Sequence, residues 1–84
     1  LPLFMLARLA GFYIDLPGED TLRVKYNIPP NDAITSDALK NRAATLLDLV
    51  TITKEEDTYG NVTEGRKFAE GYYQRGRYFQ LVQN

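Results

Sequence analysis

The sequence predicts a single, mainly α-helical domain with a small β-hairpin, and three observations support this class. A chain of 84 residues is long enough to close one hydrophobic core only. Apolar residues recur at helical spacing near the start, in the middle and near the end, and a short β-branched stretch stands before a turn-rich loop. The apolar and charged fractions, 44% and 25%, are typical of soluble globular proteins.

Most catalytic and metal chemistry is excluded by composition. The chain has no cysteine and no histidine, which removes thiol nucleophiles, imidazole bases and the usual zinc sites. Glu55, Glu56 and Asp57 are consecutive acids that we expect to be solvated rather than held in a cleft. The glycines do not form a phosphate-binding loop. We therefore predict a non-enzymatic domain with no metal, no cofactor and no evident small-molecule ligand.

The cellular setting is predicted from weaker features. The absence of cysteine favours a reducing, cytoplasmic compartment. The apolar run that ends at Ile14 is interrupted by Arg8 and is shorter than the ~20 residues of a membrane span, so we predict no membrane insertion. The run also lacks the basic leader of a signal peptide. Because Leu1 enters this apolar run directly, we interpret the chain as a fragment of a longer protein.

The first predicted element is an apolar helix from Leu3 to Tyr13. Its inner stripe and the residues expected to widen that stripe are Leu3, Leu6, Leu9, Ala10 and Tyr13, with Phe4, Met5 and Phe12 beside them. Such a helix is either central to its own core or partly covered by another chain.

The second element, residues 21–28, has two interpretations. Pro17 and Gly18 are suited to a turn, and the apolar residues that follow at 22, 24, 26 and 28 alternate as in a strand. The alternative is a short helix that ends at Asn27, with Leu22 and Tyr26 four apart on its inner face.

The third element carries the strongest helical signal. Its inner positions are Leu39, Ala43, Leu46, Leu47 and Val50, and its outward positions are Asp37, Lys40, Asn41, Ala44 and Asp48. The helix begins either at Asp32 or at a Thr35 cap, where Ile34 and Leu39 would form a hydrophobic staple. The β-branched segment Val50–Thr53 predicts a strand, and an acidic, turn-rich loop follows over Lys54–Asn61.

The last segment is predicted to be a helix. Phe68, Tyr72, Phe79 and Val82 lie on one helical stripe, which Gly71 and Gly76 weaken. The rival interpretation is a hairpin of strands 67–73 and 77–82. That hairpin, together with a strand at 22–28, would give an α+β fold and would favour a structural subunit of a larger assembly.

The order of these elements resembles a winged helix-turn-helix domain, and two stretches carry the resemblance. Residues 22–30 look like the end of a second helix that enters the turn, and residues 61–70 resemble the step from the wing to the final helix. More narrowly, the path from Leu46–Val50 through the wing to Gly65–Glu70 is similar to the AAA-associated C-terminal domain of nitrate, sulfonate and taurine type ABC transporter ATPases. The resemblance covers roughly residues 18–80. It implies that Thr21–Tyr26 is a helix and that the domain is regulatory.

A basic and aromatic C-terminus supplies the candidate protein interface. Residues 66–84 carry four Lys or Arg against one acid, whereas residues 1–65 carry six against ten. Arginine and tyrosine are enriched at binding hot spots, although the simpler interpretation places Phe68, Tyr72 and Phe79 in the core. With the apolar first helix, this segment predicts self-association or a protein partner through Phe4, Arg8, Tyr73, Arg75, Arg77 and Tyr78.

A sequence-specific DNA-binding regulator is the alternative function. It would place Lys40, Asn41 and Arg42 in the major groove, with Lys54 near phosphate. Asp37 and the acids of the wing would repel the DNA backbone. The charge pattern therefore favours a protein partner over DNA.

Overall fold

The computed structural model describes residues 1–16 and 35–83. The described elements, in chain order, are helices α1 (Leu3–Asp15) and α2 (Ser36–Ile52), strands β1 (Lys54–Glu56) and β2 (Val62–Glu64), a 3₁₀ turn (Gly65–Lys67) and helix α3 (Ala69–Gln83). The described part of the chain is mainly helical with one small antiparallel sheet, which confirms the coarse fold class. The choice between strand and helix at 21–28, the start at Asp32 and the staple at Ile34 lie outside the described residues.

Helices α1 and α2 pack around a small core. Leu3, Leu6, Ala7 and Val50 form its centre, and Leu46 and Phe68 pack against it. Ala10 of α1 and Ala43 of α2 are fully buried, so small side chains let the two helices approach closely. The predicted inner stripe of α1 is therefore correct in part, because Phe4, Met5 and Phe12 do not widen it. These three side chains are more than half exposed.

The start of α2 confirms the predicted cap. The Thr35 hydroxyl oxygen accepts a hydrogen bond from the Ala38 amide at 3.1 Å, which satisfies one free donor of the first turn. Leu39, Ala43, Leu47 and Val50 are buried, as their spacing predicts.

The predicted strand at Val50–Thr53 is wrong, because α2 continues to Ile52. Val50 is fully buried three residues after Leu47, so its packing follows the helical spacing and overrides the β preference of a branched residue. The Thr51 hydroxyl donates to the Leu47 carbonyl at 2.9 Å, a bond that only helical geometry provides. The first strand begins after the end of α2, at Lys54–Glu56, within the segment predicted as a loop.

The β-hairpin pairs Lys54 with Glu64 and Glu56 with Val62. Its turn is organised by Asp57, whose Oδ1 accepts from the amides of Tyr59 at 2.8 Å and Asn61 at 2.9 Å. Gly60 has a φ of 83°, which favours glycine at this position. The hairpin also reaches α1, because the Leu3 amide donates to Glu55 Oε2 at 2.9 Å. This carboxylate supplies an acceptor at a helix start where Pro2 makes no side-chain cap.

Gly65 joins the hairpin to the end of α2. Its amide donates to the Thr53 carbonyl at 2.8 Å. A Cβ at this position would lie 1.6 Å from the Val50 carbonyl oxygen, which is backbone and has no room to move. The close approach of the two backbones therefore requires glycine.

Helix α3 is confirmed, and the rival hairpin over 67–82 is wrong. The predicted core stripe is also wrong in three of its four positions: Tyr72, Phe79 and Val82 are 59%, 56% and 43% exposed. The buried residues of α3 are Gly71 and Gln74. Gly71 lets α3 lie against Val50, because a Cβ on residue 71 would be only 3.0 Å from Val50 Cγ1. This close approach places Tyr72 and Phe79 on the outward side of the helix.

Candidate protein-interaction surface

Helices α1 and α3 meet along a polar seam. Arg8 lies 3.5 Å from Glu70, Gly11 lies against Gln74, and Asp15 forms an ion pair with Arg77. Residue numbers rise together on the two sides of this seam, so the two helices run parallel.

The seam is organised by Gln74, whose side chain is almost fully buried. Its Nε2 donates to Glu70 Oε1 at 3.1 Å, and its Oε1 accepts from Arg77 Nη1 at 2.9 Å. Because both polar atoms of this buried amide have hydrogen-bond partners, Gln74 fixes the register in which α1 and α3 pack. Gly11 supplies the space, because a Cβ there would lie 2.6 Å from Gln74 Nε2.

The exposed side of α1 is mainly apolar. We define the outer face of α1 as Leu1, Phe4, Met5, Arg8, Phe12, Asp15 and Leu16, all of which are exposed. Leu1, Met5, Arg8, Phe12 and Asp15 follow one another at intervals of four, three, four and three residues, the spacing of a helix–helix contact seam. Met5 and Phe12 are 53% and 56% exposed although each belongs to a residue type that is usually buried.

Tyr73 extends this face onto α3. Phe12 follows Gly11 by one residue, and Tyr73 precedes Gln74 by one residue. One residue turns a helix by about 100°. Because Phe12 is one residue after the seam on α1 and Tyr73 is one residue before it on the parallel α3, the two rotations have opposite senses and place both side chains on the same side of the seam. Tyr73 is 60% exposed, and the Arg77 guanidinium lies 5.8 Å from its ring centre. The outer face of α1 and Tyr73 therefore form one surface.

The remaining candidate interface residues are placed differently. Arg75 joins three elements, because it donates to Thr51 Oγ1 at 3.0 Å and to the Arg66 carbonyl at 3.3 Å and lies 4.6 Å from the Tyr72 ring centre. Its side chain therefore attaches α3 to α2. Tyr78 is half-buried and makes an edge contact with Phe79. Of the six predicted residues, Phe4, Arg8 and Tyr73 lie on the surface defined above, and Arg77 lines its edge.

The candidate DNA-contact residues do not share one face. Lys40 and Arg42 are two residues apart on α2, about 200° around the helix. Arg42 lies 5.8 Å from the ring centre of Tyr13, and with Asn41 it lines a groove of about 370 Å³ between α1 and α2. Lys54 is exposed on β1, opposite Glu64.

Two carboxyl groups of the hairpin have lowered pKa values. The pKa of Asp57 is lowered by hydrogen bonds from the Asn61 side chain and from the backbone amides of Asn61 and Tyr59. The pKa of Glu64 is lowered by a hydrogen bond from Lys67 and by the charge of Arg66. Both groups are therefore charged at neutral pH and act in the local structure of the hairpin and the 3₁₀ turn.

The described part of the chain has neither a cluster of metal ligands nor a helix of membrane-spanning character. Within residues 1–16 and 35–83, no group of three or more Asp or Glu side chains is placed to hold a metal ion. None of the helices in these two ranges has the length and hydropathy needed to cross a membrane.

Sequence reasoning missed several residues that build this surface. Gly11, Gln74 and Asp15 organise the seam, and no motif identifies them because their roles depend on which helix lies next to α1. Met5 and Phe12 carry a usable signal, since the 4-3-4-3 spacing with Leu1, Arg8 and Asp15 is visible in the sequence. No protein-family model matches the chain, and no curated protein sequence matches it either.

Proposed function

We propose that the chain is a non-catalytic protein-interaction domain of the winged-helix kind, and that the outer face of α1 with Tyr73 is its contact surface. The observation that carries the proposal is the exposure of Phe4, Met5, Phe12 and Tyr73, each more than half accessible on one side of the α1–α3 seam. Clustered apolar exposure marks contact surfaces, whereas scattered single residues do not. The charged residues of the face, Arg8 and Asp15, lie beside the α1–α3 seam, where their ion pairs with Glu70 and Arg77 form a polar border of the kind such surfaces have.

The winged-helix assignment is supported by the order of elements over residues 36–83. A helix leads into a two-stranded hairpin, and the hairpin leads through Gly65 into a final helix. The segments that resemble the AAA-associated C-terminal domain, Leu46–Val50 and Gly65–Glu70, lie at the two ends of that hairpin connection. On this basis we propose a regulatory role as a domain appended to the ATP-binding subunit of an ABC transporter.

The proposal is tested by site-specific photo-cross-linking. A photo-reactive phenylalanine analogue replaces Phe12 in one variant and Tyr59 in a control variant, because Tyr59 is 89% exposed at the tip of the hairpin. We expect covalent protein adducts at position 12 and not at position 59, in the purified chain or after addition of extract from its native host. The adducts should decrease when Met5→Ser is added, because Met5 lies on the same face.

Equal adduct yields at the two positions, or none at position 12, would contradict the proposal. Mass spectrometry of the adduct then identifies the occupant of the surface as a second copy or a different protein.

A further inference from the structure

We infer that the occupant of the outer face of α1 is a second copy of this chain, packed antiparallel about a two-fold axis near Phe12. This inference rests on the proposed function and names its partner. An interface of this kind uses the same patch on both copies, so the patch must be complementary to itself when reversed. The outer face of α1 meets that requirement in its charges and in the apolar residues of its second half, Phe12 and Leu16.

The two charges of the face stand in the order that reversal requires. Arg8 and Asp15 are seven residues apart, about 10 Å along the helix, with Phe12 between them. Their side chains are 64% and 65% exposed. When a second α1 lies antiparallel with the axis between residues 11 and 12, Arg8 of each copy faces Asp15 of the other, and the contact occurs twice.

The charges of α3 match in the same arrangement. Glu70 accompanies Arg8 at one end of the seam, and Arg77 accompanies Asp15 at the other. At one end of the seam the positive group is on α1 and the negative group is on α3, and at the other end the positions are exchanged. Reversal places Arg8 opposite Asp15 and the Glu70 end opposite the Arg77 end, so no like charges meet.

Phe12 and Leu16 fit the same register, whereas the α1 helix of the second copy ends before it reaches the level of Phe4 and Met5. Phe12 lies next to the axis and faces its own symmetry mate. Leu16 of one copy then falls at the level of residue 7 of the other, between Met5 and Arg8 in the 4-3-4-3 spacing. Tyr73 lies on the same side of the seam as Phe12 and borders the groove that the two α1 helices form.

The exposed face of α3 provides a contrast. Tyr72 and Phe79 are also exposed, and the exposed residues beside them, Gly76 and Gln83, carry no charge. Arg75 lies against the Tyr72 ring, but its guanidinium is bound to Thr51 and to the Arg66 carbonyl. That face offers no order of charges from which a partner can be selected. The outer face of α1 does, and this difference assigns the second copy to α1.

The test uses charge reversal and mixing. Arg8→Asp and Asp15→Arg are each prepared alone, and sedimentation equilibrium measures association of the wild type, of each variant and of an equimolar mixture of the two variants. Each variant alone places like charges opposite one another across the axis, so we expect self-association to weaken about ten-fold or more.

The mixture restores opposite charges at both contacts of the dimer. At one contact the aspartate that Arg8→Asp introduces faces the arginine that Asp15→Arg introduces, and at the other contact the unchanged Arg8 and Asp15 face each other. We therefore expect mixed dimers of near wild-type affinity.

Mixing separates the interface from effects within one copy. Each substitution also disturbs its own seam, beside Glu70 or Arg77, but that disturbance is the same in the pure variant and in the mixture. If either charge variant loses its helical circular dichroism, association of Phe12→Ser is measured instead, with Tyr59→Ser as the matched control. Only Phe12→Ser should abolish association.

Three results of the association measurements would overturn the inference. They are a wild type that stays monomeric at millimolar concentration, a mixture no tighter than its components when both are folded, and equal association of Phe12→Ser and Tyr59→Ser. Photo-adducts at position 12 to a different protein would overturn this inference and leave the proposed function standing.

Discussion

The Gln74 side chain occupies the space that a side chain at Gly11 would need, with 2.6 Å between its Nε2 and the position of a Cβ on residue 11. Gln74 is held there by Glu70 and Arg77, so it cannot leave without breaking two hydrogen bonds. This relationship fixes how α1 and α3 run beside each other, and thereby which side chains of both helices face outward.

We expect Gly11→Ala to destabilise the fold and Gly76→Ala to stabilise it. Both glycines lie in helices, where alanine is favoured by about 1 kcal/mol. Nothing lies within 4 Å of a Cβ at Gly76, whereas a Cβ at Gly11 overlaps Gln74, and overpacking costs about 1–3 kcal/mol. Urea denaturation of the two variants measures the difference.

A double variant identifies the cause. When Gln74→Ala removes the obstructing amide, the cost of Gly11→Ala should largely disappear, so the two effects should be strongly non-additive. Additive effects, or equal stability of Gly11→Ala and Gly76→Ala, would show that the contact between Gly11 and Gln74 is not as the structure has it.

Gly65→Ala should be the most damaging of the single glycine substitutions. The obstruction is the Val50 carbonyl, 1.6 Å from the Cβ position, and backbone at the end of α2 cannot rotate away as a side chain can. We expect a loss of roughly 3 kcal/mol or more, or failure to fold. Thermal unfolding followed by circular dichroism checks this, with Gly76→Ala as the matched glycine control. If Gly65→Ala were as stable as the wild type, the close contact between the Gly65 and Val50 backbones would be contradicted.

The hairpin should lose stability in acid. Its Asp57 carboxylate accepts hydrogen bonds from Asn61 and Tyr59, which lower its pKa, so the folded state favours the charged form. A lowered folded pKa gives stabilisation that is present above the unfolded pKa and is lost as the pH falls through the folded pKa. An NMR titration of the Asp57 carboxyl carbon should give a pKa below the ordinary aspartate value.

The same titration of an Asn61→Ala variant provides the control. It removes the side-chain donor to Asp57 Oδ2, 3.0 Å away, so the Asp57 pKa should rise toward its ordinary value. An unchanged pKa, or a wild-type pKa at or above the ordinary value, would contradict the hydrogen-bonded turn.

We expect no salt-sensitive binding to duplex DNA. Lys40 and Arg42 lie on different sides of α2, and the exposed face between them includes Asp37 and Asp48. A binder that neutralises several phosphates weakens steeply as salt rises. Fluorescence anisotropy with a labelled mixed-sequence duplex at low and moderate salt tests this. Tight binding at low salt that Lys40→Glu or Arg42→Glu weakens would favour the DNA-binding regulator.

Local sequence patterns predict the helices better than they predict the contacts between them. The stripe of α2 and its Thr35 cap depend on residues near in sequence, and both are correct. The predicted end of α2 is wrong because β-branched residues favour a strand from Val50 onward, whereas the packing of Val50 against α1 and α3 keeps it in the helix whose spacing it continues. The same reason explains α3, where the aromatic stripe indicates a core but the close approach of Gly71 and Gln74 determines the buried side.

Part of the candidate surface is predictable from the sequence. Residue type selects Phe4, Arg8 and Tyr73, and an apolar helix that exceeds the needs of a small core already indicates a partner. Arg75 and Arg77 are selected for the same reason but also make contacts within the fold. Arginine at a hot spot and arginine that joins two helices have the same sequence signal, so only the tertiary contacts distinguish them.

The most direct test of the account is a dilution series of ¹⁵N-labelled protein followed by NMR. If a second copy covers the outer face of α1 in the inferred register, the amide signals of residues 7–16 and of Tyr73 should shift with concentration, whereas those of Tyr59 and Val62 in the hairpin should not. Signals that do not change with concentration, or changes centred on Tyr72 and Phe79, would contradict it.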